Sequence, residues 1–197
     1  MPKVSEQHIV QMQEKILQAA VVCFADNGFH ATGMAQIIKA SGVAAGSVYR
    51  YYKSKDELIL AIVERHLQQM QAQVMSLEAV TTPLALIESC LAKIEKLKQT
   101  EEVIGFAKVL PQVWTEVLRN PAISAVVTAN YDKILHQFEH YLSEMQQAGT
   151  LDKAIDCKML AQIIWSLVHG YSLQSLLFEP IDKASYLQTL TMLIDKG

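Results

Sequence analysis

Between Ala45 and Lys55 the chain carries hydroxyls at Ser47, Tyr49, Tyr51, Tyr52 and Ser54, and cations at Arg50, Lys53 and Lys55. These groups share one chemistry: each can donate a hydrogen bond or positive charge to a phosphate oxygen. No carboxylate lies between Asp26 and Asp56, and Lys39 adds a further cation to that gap. The stripe is local. Residues 1–57 hold six basic and five acidic side chains, residues 58–197 eleven and fifteen, and the net charge is −3. A positive strip on an otherwise acidic chain suits a small footprint on a polyanion, with the remainder held away from it.

Other reactive side chains carry less. His136 and His140 stand four residues apart with Glu139 between them, a spacing that metal ligands use, but no third ligand accompanies them and no metal is expected. His169, next to Gly170 and one helical turn from Trp165, can serve a ligand or be satisfied within a core. Cys23, Cys90 and Cys157 are an odd, widely spaced set among apolar neighbours, which reads as reduced thiols rather than a disulfide or zinc framework. There is no GxSxG, phosphate-binding loop, HExxH or dinucleotide glycine pattern, so no catalytic residue, enzyme activity or cofactor is expected.

The elements that would position these groups are helices. Half of the 197 residues are apolar, enough for a real core. Apolar residues recur at three- and four-residue steps nearly throughout. Ile9 to Phe24 form a first amphipathic helix that Asn27-Gly28 should end. Short helices follow over Met34–Ala40 and Ala45–Tyr51, separated by Ser41-Gly42 and the apolar plug Val43. Ser54 with Glu57 forms a capping box for a fourth helix reaching about Leu77. Thr82 and Pro83 open a fifth helix to Leu97. Later segments run over Val103–Leu118, Ala122–Gln147, Lys158–Phe178 (capped by Asp156) and Lys183–Ile194. No uncharged apolar run is long enough to span a bilayer and no secretory signal is visible, so a cytoplasmic chain without membrane contact is expected.

Two short helices joined by a glycine-containing turn and braced by a longer helix describe a helix-turn-helix. Its second helix, Ala45–Tyr51, enters the major groove in such units. Val48 would face the core, leaving Ser47, Tyr49 and Arg50 outward. The residues Ile16-Leu17, Ala19-Ala20, Phe24, Gly28-Phe29, Thr32, Ile37, Ser41-Gly42-Val43, Gly46 to Tyr52 and Ser54 to Leu58 together resemble the signature of the TetR family of transcription regulators, over about a quarter of the chain. The resemblance implies an all-α fold of about nine helices. A DNA-binding domain over residues 1–53 is joined by the long fourth helix to an effector-binding and dimerisation domain over 54–197. It places Thr32 and Gly33 at the start of the second helix against a phosphate, with Met34 a further DNA-contact candidate beside them. Ala44, Ala45 and Gly46 fall at the nose of the recognition helix, Ser47, Tyr49, Arg50 and Tyr51 along its edge, and Lys55 where a lysine and the fourth helix's N-terminus hold another phosphate. Ala44 departs from the usual Ser or Thr cap, at a cost of about 1 kcal/mol. With Met34, Ala44, Ala45 and Gly46 offering no side-chain hydrogen bond to a base, readout should rest on thymine methyls, Arg50 and DNA shape.

Aromatic and apolar residues on the later helices, Phe106, Leu110, Trp114, Tyr131, Leu135, Phe138, Met159, Trp165 and His169, are candidates to line a small-molecule cavity. The helix Lys158–Phe178 is apolar nearly all round, which asks for cover from a partner chain. Ile164, Leu167, Val168 and Leu176, with Leu187 and Leu190 of the last helix, are the interface candidates. The expected function is a homodimeric repressor that binds a palindromic double-stranded operator and is released by a small, largely apolar effector. The alternative is a DNA-bound adaptor whose later helices dock a protein partner.

Overall fold

The computed structural model describes residues 6–77, 80–97, 101–178 and 181–194. Among them are nine helices and no strand: α1 (Glu6–Ala31), α2 (Met34–Ser41), α3 (Ala45–Tyr51), α4 (Lys55–Met75), α5 (Pro83–Leu97), α6 (Glu101–Val117), α7 (Pro121–Ala148), α8 (Cys157–Leu177) and α9 (Lys183–Ile194). None is long and apolar enough to cross a membrane.

Local chemistry sets the helix ends. Ser54 Oγ accepts from Glu57 N–H at 3.2 Å, while the Glu57 carboxylate accepts from Lys53 N–H at 2.7 Å, one residue earlier than a standard box places it. Thr82 Oγ1 accepts from Ala85 N–H, and Asp156 accepts from Lys158 and Met159 N–H. Asn120 and Asp182 cap α7 and α9 in the same way. Each such cap contributes about 1 kcal/mol by satisfying a donor the helix leaves open.

The residues pack as two units, each assembled from separated stretches of chain: 1–67 with 101–127, and 68–100 with 128–197. The boundary expected after residue 53 is not where packing divides. In the first unit, Ile16, Ala20, Phe24, Ile37, Val48, Leu58 and Val63 share one core with Val109, Val113 and Ile123. The apolar face of α1 therefore needs α6 as well as α2 to cover it. In the second unit, Leu86, Ile87 and Leu91 of α5 pack with Ile134, Phe138 and Leu142 of α7 and Ile164, Val168 and Tyr171 of α8. The Tyr171 hydroxyl donates to Glu95 Oε1 at 2.7 Å; burial and this carboxylate push the phenol up to about 12.

Candidate nucleic-acid interface

The helix-turn-helix is built around a fixed turn. Gly42 takes φ 60°, ψ 17°, the left-handed conformation glycine tolerates best, and closes α2. Ser41 Oγ donates to Ile38 C=O at 2.9 Å and accepts from Val43 N–H at 3.2 Å, tying the turn at both ends. Val43 is buried as the plug. α3 is then held by Val48, fully buried, with Tyr52 buried just beyond it. This pinning leaves the rest of the short helix turned outward. Ala44, Ala45, Gly46, Tyr49 and Arg50 are exposed, Tyr49 at 48 %, while Ser47 and Tyr51 are half-buried. Ala44 makes no side-chain cap, as its methyl dictates; its carbonyl accepts from Ser47 and Val48 N–H. Gly33 is exposed and Met34 half-buried at the start of α2, where Gln36 Oε1 accepts from Gly33 N–H at 2.7 Å.

Two residues expected at phosphates are otherwise engaged. Thr32 is 1 % exposed, and its hydroxyl donates to Gly28 C=O at 2.7 Å and lies 3.0 Å from Cys23 C=O. It is a structural residue at the end of α1, not a surface donor. Lys55 Nζ lies 2.6 Å from Phe29 C=O and 3.5 Å from His30 C=O. The ammonium thus caps the carbonyl end of α1, with one of its three N–H donors left over.

Both engagements lie next to a break inside α1. At Gly28 the backbone turns to φ 81°, ψ 163°, a region essentially reserved for glycine. Backbone groups around the break are engaged by side chains. Asn27 Nδ2 donates to Cys23 C=O, and Gln112 of α6 donates through Nε2 to Phe24 C=O at 3.2 Å while its Oε1 accepts from Phe29 N–H at 2.6 Å. Gln112 was not legible as a site residue, because a lone glutamine on an amphipathic helix carries no signal. Far back along α1 from the break, Glu14 pairs with Arg65. His66, also missed, keeps an edge at the surface, yet burial of its ring pushes the imidazole down to about 4.

The proposed cavity lining divides. In the second unit Trp165 meets Tyr131 at 6.0 Å, Phe138 at 6.4 Å and His169 at 5.4 Å between ring centres, His169 lying stacked on the indole. Leu135 packs against the same core. Burial lowers the pKa of His169, favouring a neutral imidazole that can both donate and accept. Leu110 packs into the first unit's core, whereas Trp114 and Met159 are 43 % and 53 % exposed, so these two do not face an interior. The Phe106 side chain lies outside the described residues.

The interface candidates need a similar correction. Ile164 and Val168 are buried in their own chain's core, and Leu167, Leu187 and Leu190 are half-buried against it. The Leu176 side chain lies outside the described residues. Among the described residues, the uncovered apolar positions of α8 and α9 are instead Met159, Ile163, Met192 and Leu193. His136 and His140 point to carboxylates at 3.7 and 3.6 Å, Glu139 and Glu144.

Residues 16–62 match the sequence model of bacterial regulatory proteins of the tetR family, and residues 87–196 match that of the C-terminal part of BetI-type transcriptional repressors. The transcriptional regulator UidR of Escherichia coli K12 is 27 % identical over 157 residues, which cover 79 % of this chain and 77 % of UidR. Salmonella enterica GusR superposes with a TM-score of 0.75 at 26 % identity, over 98 % of this chain and 96 % of GusR. Bacillus subtilis FadR, solved in complex with stearoyl-CoA, shares the fold with a TM-score of 0.68 at 18 % identity, over 91 % and 96 % of the two chains.

Proposed function

The chain belongs to the TetR family of bacterial regulatory proteins and is a DNA-binding transcription regulator, and from that premise we propose a cytoplasmic homodimeric repressor that a small, largely apolar effector releases from a palindromic operator. The observation that carries the DNA side is the pinning of α3: Val48 is sealed inside while Tyr49 and Arg50 stand outside. That is the arrangement a reading helix requires.

Arg50 and the exposed edge Gly33, Ala44, Ala45 and Gly46 form the contact surface, with Ser47, Tyr49 and Tyr51 supplying hydroxyls to phosphates. The remaining N–H of Lys55 adds one phosphate contact. Met159, Ile163, Met192 and Leu193 supply the face through which two copies associate. Two-fold symmetry then sets the recognition helices about 34–36 Å apart, one turn of DNA. Effector binds near the rings of Tyr131, Trp165 and His169, which combine an apolar body with polar edges. FadR shows that this fold can hold an acyl thioester. A coupling of about 1–3 kcal/mol lowers operator occupancy some five- to hundred-fold. The adaptor alternative draws no support from the relatives.

The test is selection of DNA from a random pool by the purified protein, followed by titration of the selected fragment with wild type and Arg50→Ala. A two-fold symmetric consensus and an Arg50→Ala loss of about 1–3 kcal/mol are expected. Selection of no sequence, or unchanged affinity in Arg50→Ala at physiological salt, rejects the assignment of this surface.

A further inference from the structure

The break at Gly28 divides α1 immediately before the helix-turn-helix, and what spans the break comes from α6. In an unbroken helix Phe24 C=O would accept from the N–H of residue 28 and Phe29 N–H would donate to residue 25. With φ 81° at Gly28, Phe29 N–H is turned away from residue 25, while the N–H of Gly28 lies ahead of the rotated bond. One carboxamide engages both sides: Gln112 Oε1 accepts from Phe29 N–H in place of residue 25, and Gln112 Nε2 donates to Phe24 C=O. A single side chain therefore holds the two sides of the bend at once. The short arm beyond it, Phe29 to Ala31, carries the carbonyls that Lys55 caps and leads through buried Thr32 directly into α2.

We propose that Gln112 is a positioning residue for DNA binding: by clamping both sides of the α1 break it sets the angle at which the helix-turn-helix leaves α1, and so makes that angle follow α6. The placement of Pro111 supports this. A proline inside α6 removes one backbone hydrogen bond from that helix immediately before the clamp. That missing bond leaves α6 least held by its own backbone next to the residue that grips α1. Around the break itself, Phe24 and Phe29 meet edge to face at 4.8 Å, so the bend is packed as well as hydrogen-bonded and has one preferred geometry. A glutamine at 112 reaches both backbone groups. A methionine there fills the space and reaches neither, and a glutamate can accept from Phe29 N–H but has nothing to donate to Phe24 C=O.

This inference rests on the two-fold operator proposed above, and its test separates the two. The probes are the DNA fragment selected by the wild-type protein and the same fragment with one base pair inserted between its half-sites. The full chain is compared as wild type, Gln112→Met and Gln112→Glu, each checked for helix content. Gln112→Met should bind the selected fragment about tenfold more weakly, and its preference over the inserted fragment should narrow, because a loosened exit angle tolerates the wrong spacing. Gln112→Glu should fall between, and carries the test if Gln112→Met does not fold. Exchange of the Phe29 amide should quicken in Gln112→Met. Equal losses on both fragments, or no loss, overturn the inference, since a residue that merely stabilises α1 would scale both alike. A wild type indifferent to the insertion removes the two-fold operator itself, and this inference with it.

Discussion

Replacing Gly28 by alanine tests the bend in α1 without touching the proposed DNA-contact surface. A Cβ at this position would meet only Gln112 Oε1 within van der Waals range, at an ordinary 3.5 Å. Steric crowding therefore contributes little, and the cost is conformational. At φ 81° and ψ 163° an L residue sits where essentially only glycine resides, a penalty of about 2–3 kcal/mol. Gly42 is the internal control. Its φ of 60° and ψ of 17° lie in the ordinary left-handed well, and its added Cβ would find only Lys15 Nζ, at 3.9 Å. Gly42→Ala should cost about 1 kcal/mol, nearer the lower end of that well's usual penalty. Urea unfolding at one fixed protein concentration, with the slope compared between variants, reads the difference directly. For a chain of this size each kcal/mol lowers Tm by about 2–4 °C. Gly28→Ala should thus melt several degrees below Gly42→Ala. If Gly28→Ala lies within about 0.5 kcal/mol of wild type, α1 does not turn at residue 28 and the reasoning about Gln112 fails with it.

Three further outcomes are expected. His66 has a folded-state pKa of about 4 against 6.5 for the free side chain, so its contribution to stability is complete above pH 6.5 and is lost as pH falls through 4. Urea midpoints of wild type should decline over that window by the equivalent of about 3 kcal/mol more than those of His66→Gln; parallel pH profiles would contradict this. Ile163→Asp should dissociate the proposed dimer in sedimentation while leaving helix content intact. Ile164→Ala, at a site only 1 % exposed, should instead cost about 2–5 kcal/mol of folding stability; the reverse pattern would return the interface to the inner face. Gly46→Ala places a methyl where no atom lies within 4 Å, so stability should rise by up to about 1 kcal/mol while affinity for the selected DNA falls. A fall in both would show that Gly46 has a backbone role in the fold.

The sequence carried the helices because caps and breakers are local: Ser54, Thr82, Asp156 and Gly42 act within four residues of themselves, and each does so in the structure. It also separated Val48 from Tyr49 and Arg50, since three and a half residues per turn leave a seven-residue helix few ways to face a core. What it missed is long-range. Gln112 lies 83 positions from Phe29, and nothing near either residue announces the other. Lys55 was legible as a cation at a helix start but not as the cap of another helix's end. The choice of Ile164 over Ile163 failed for a different reason. α8 is apolar around most of its circumference, so periodicity gives no preferred face, and only the side taken by α5 and α7 decides which isoleucine remains uncovered.

The interleaved packing of the chain has a consequence for its synthesis. The core beneath the helix-turn-helix is closed by Val109, Val113 and Ile123, which leave the ribosome well after α4. At about 5–20 residues per second, the stretch from 68 to 127 takes roughly 3–12 s to make. Throughout that interval Ile16, Phe24 and Val48 wait with one side of their core missing, and a nascent chain arrested before residue 109 carries every side chain proposed to meet DNA on a scaffold that cannot yet hold them still.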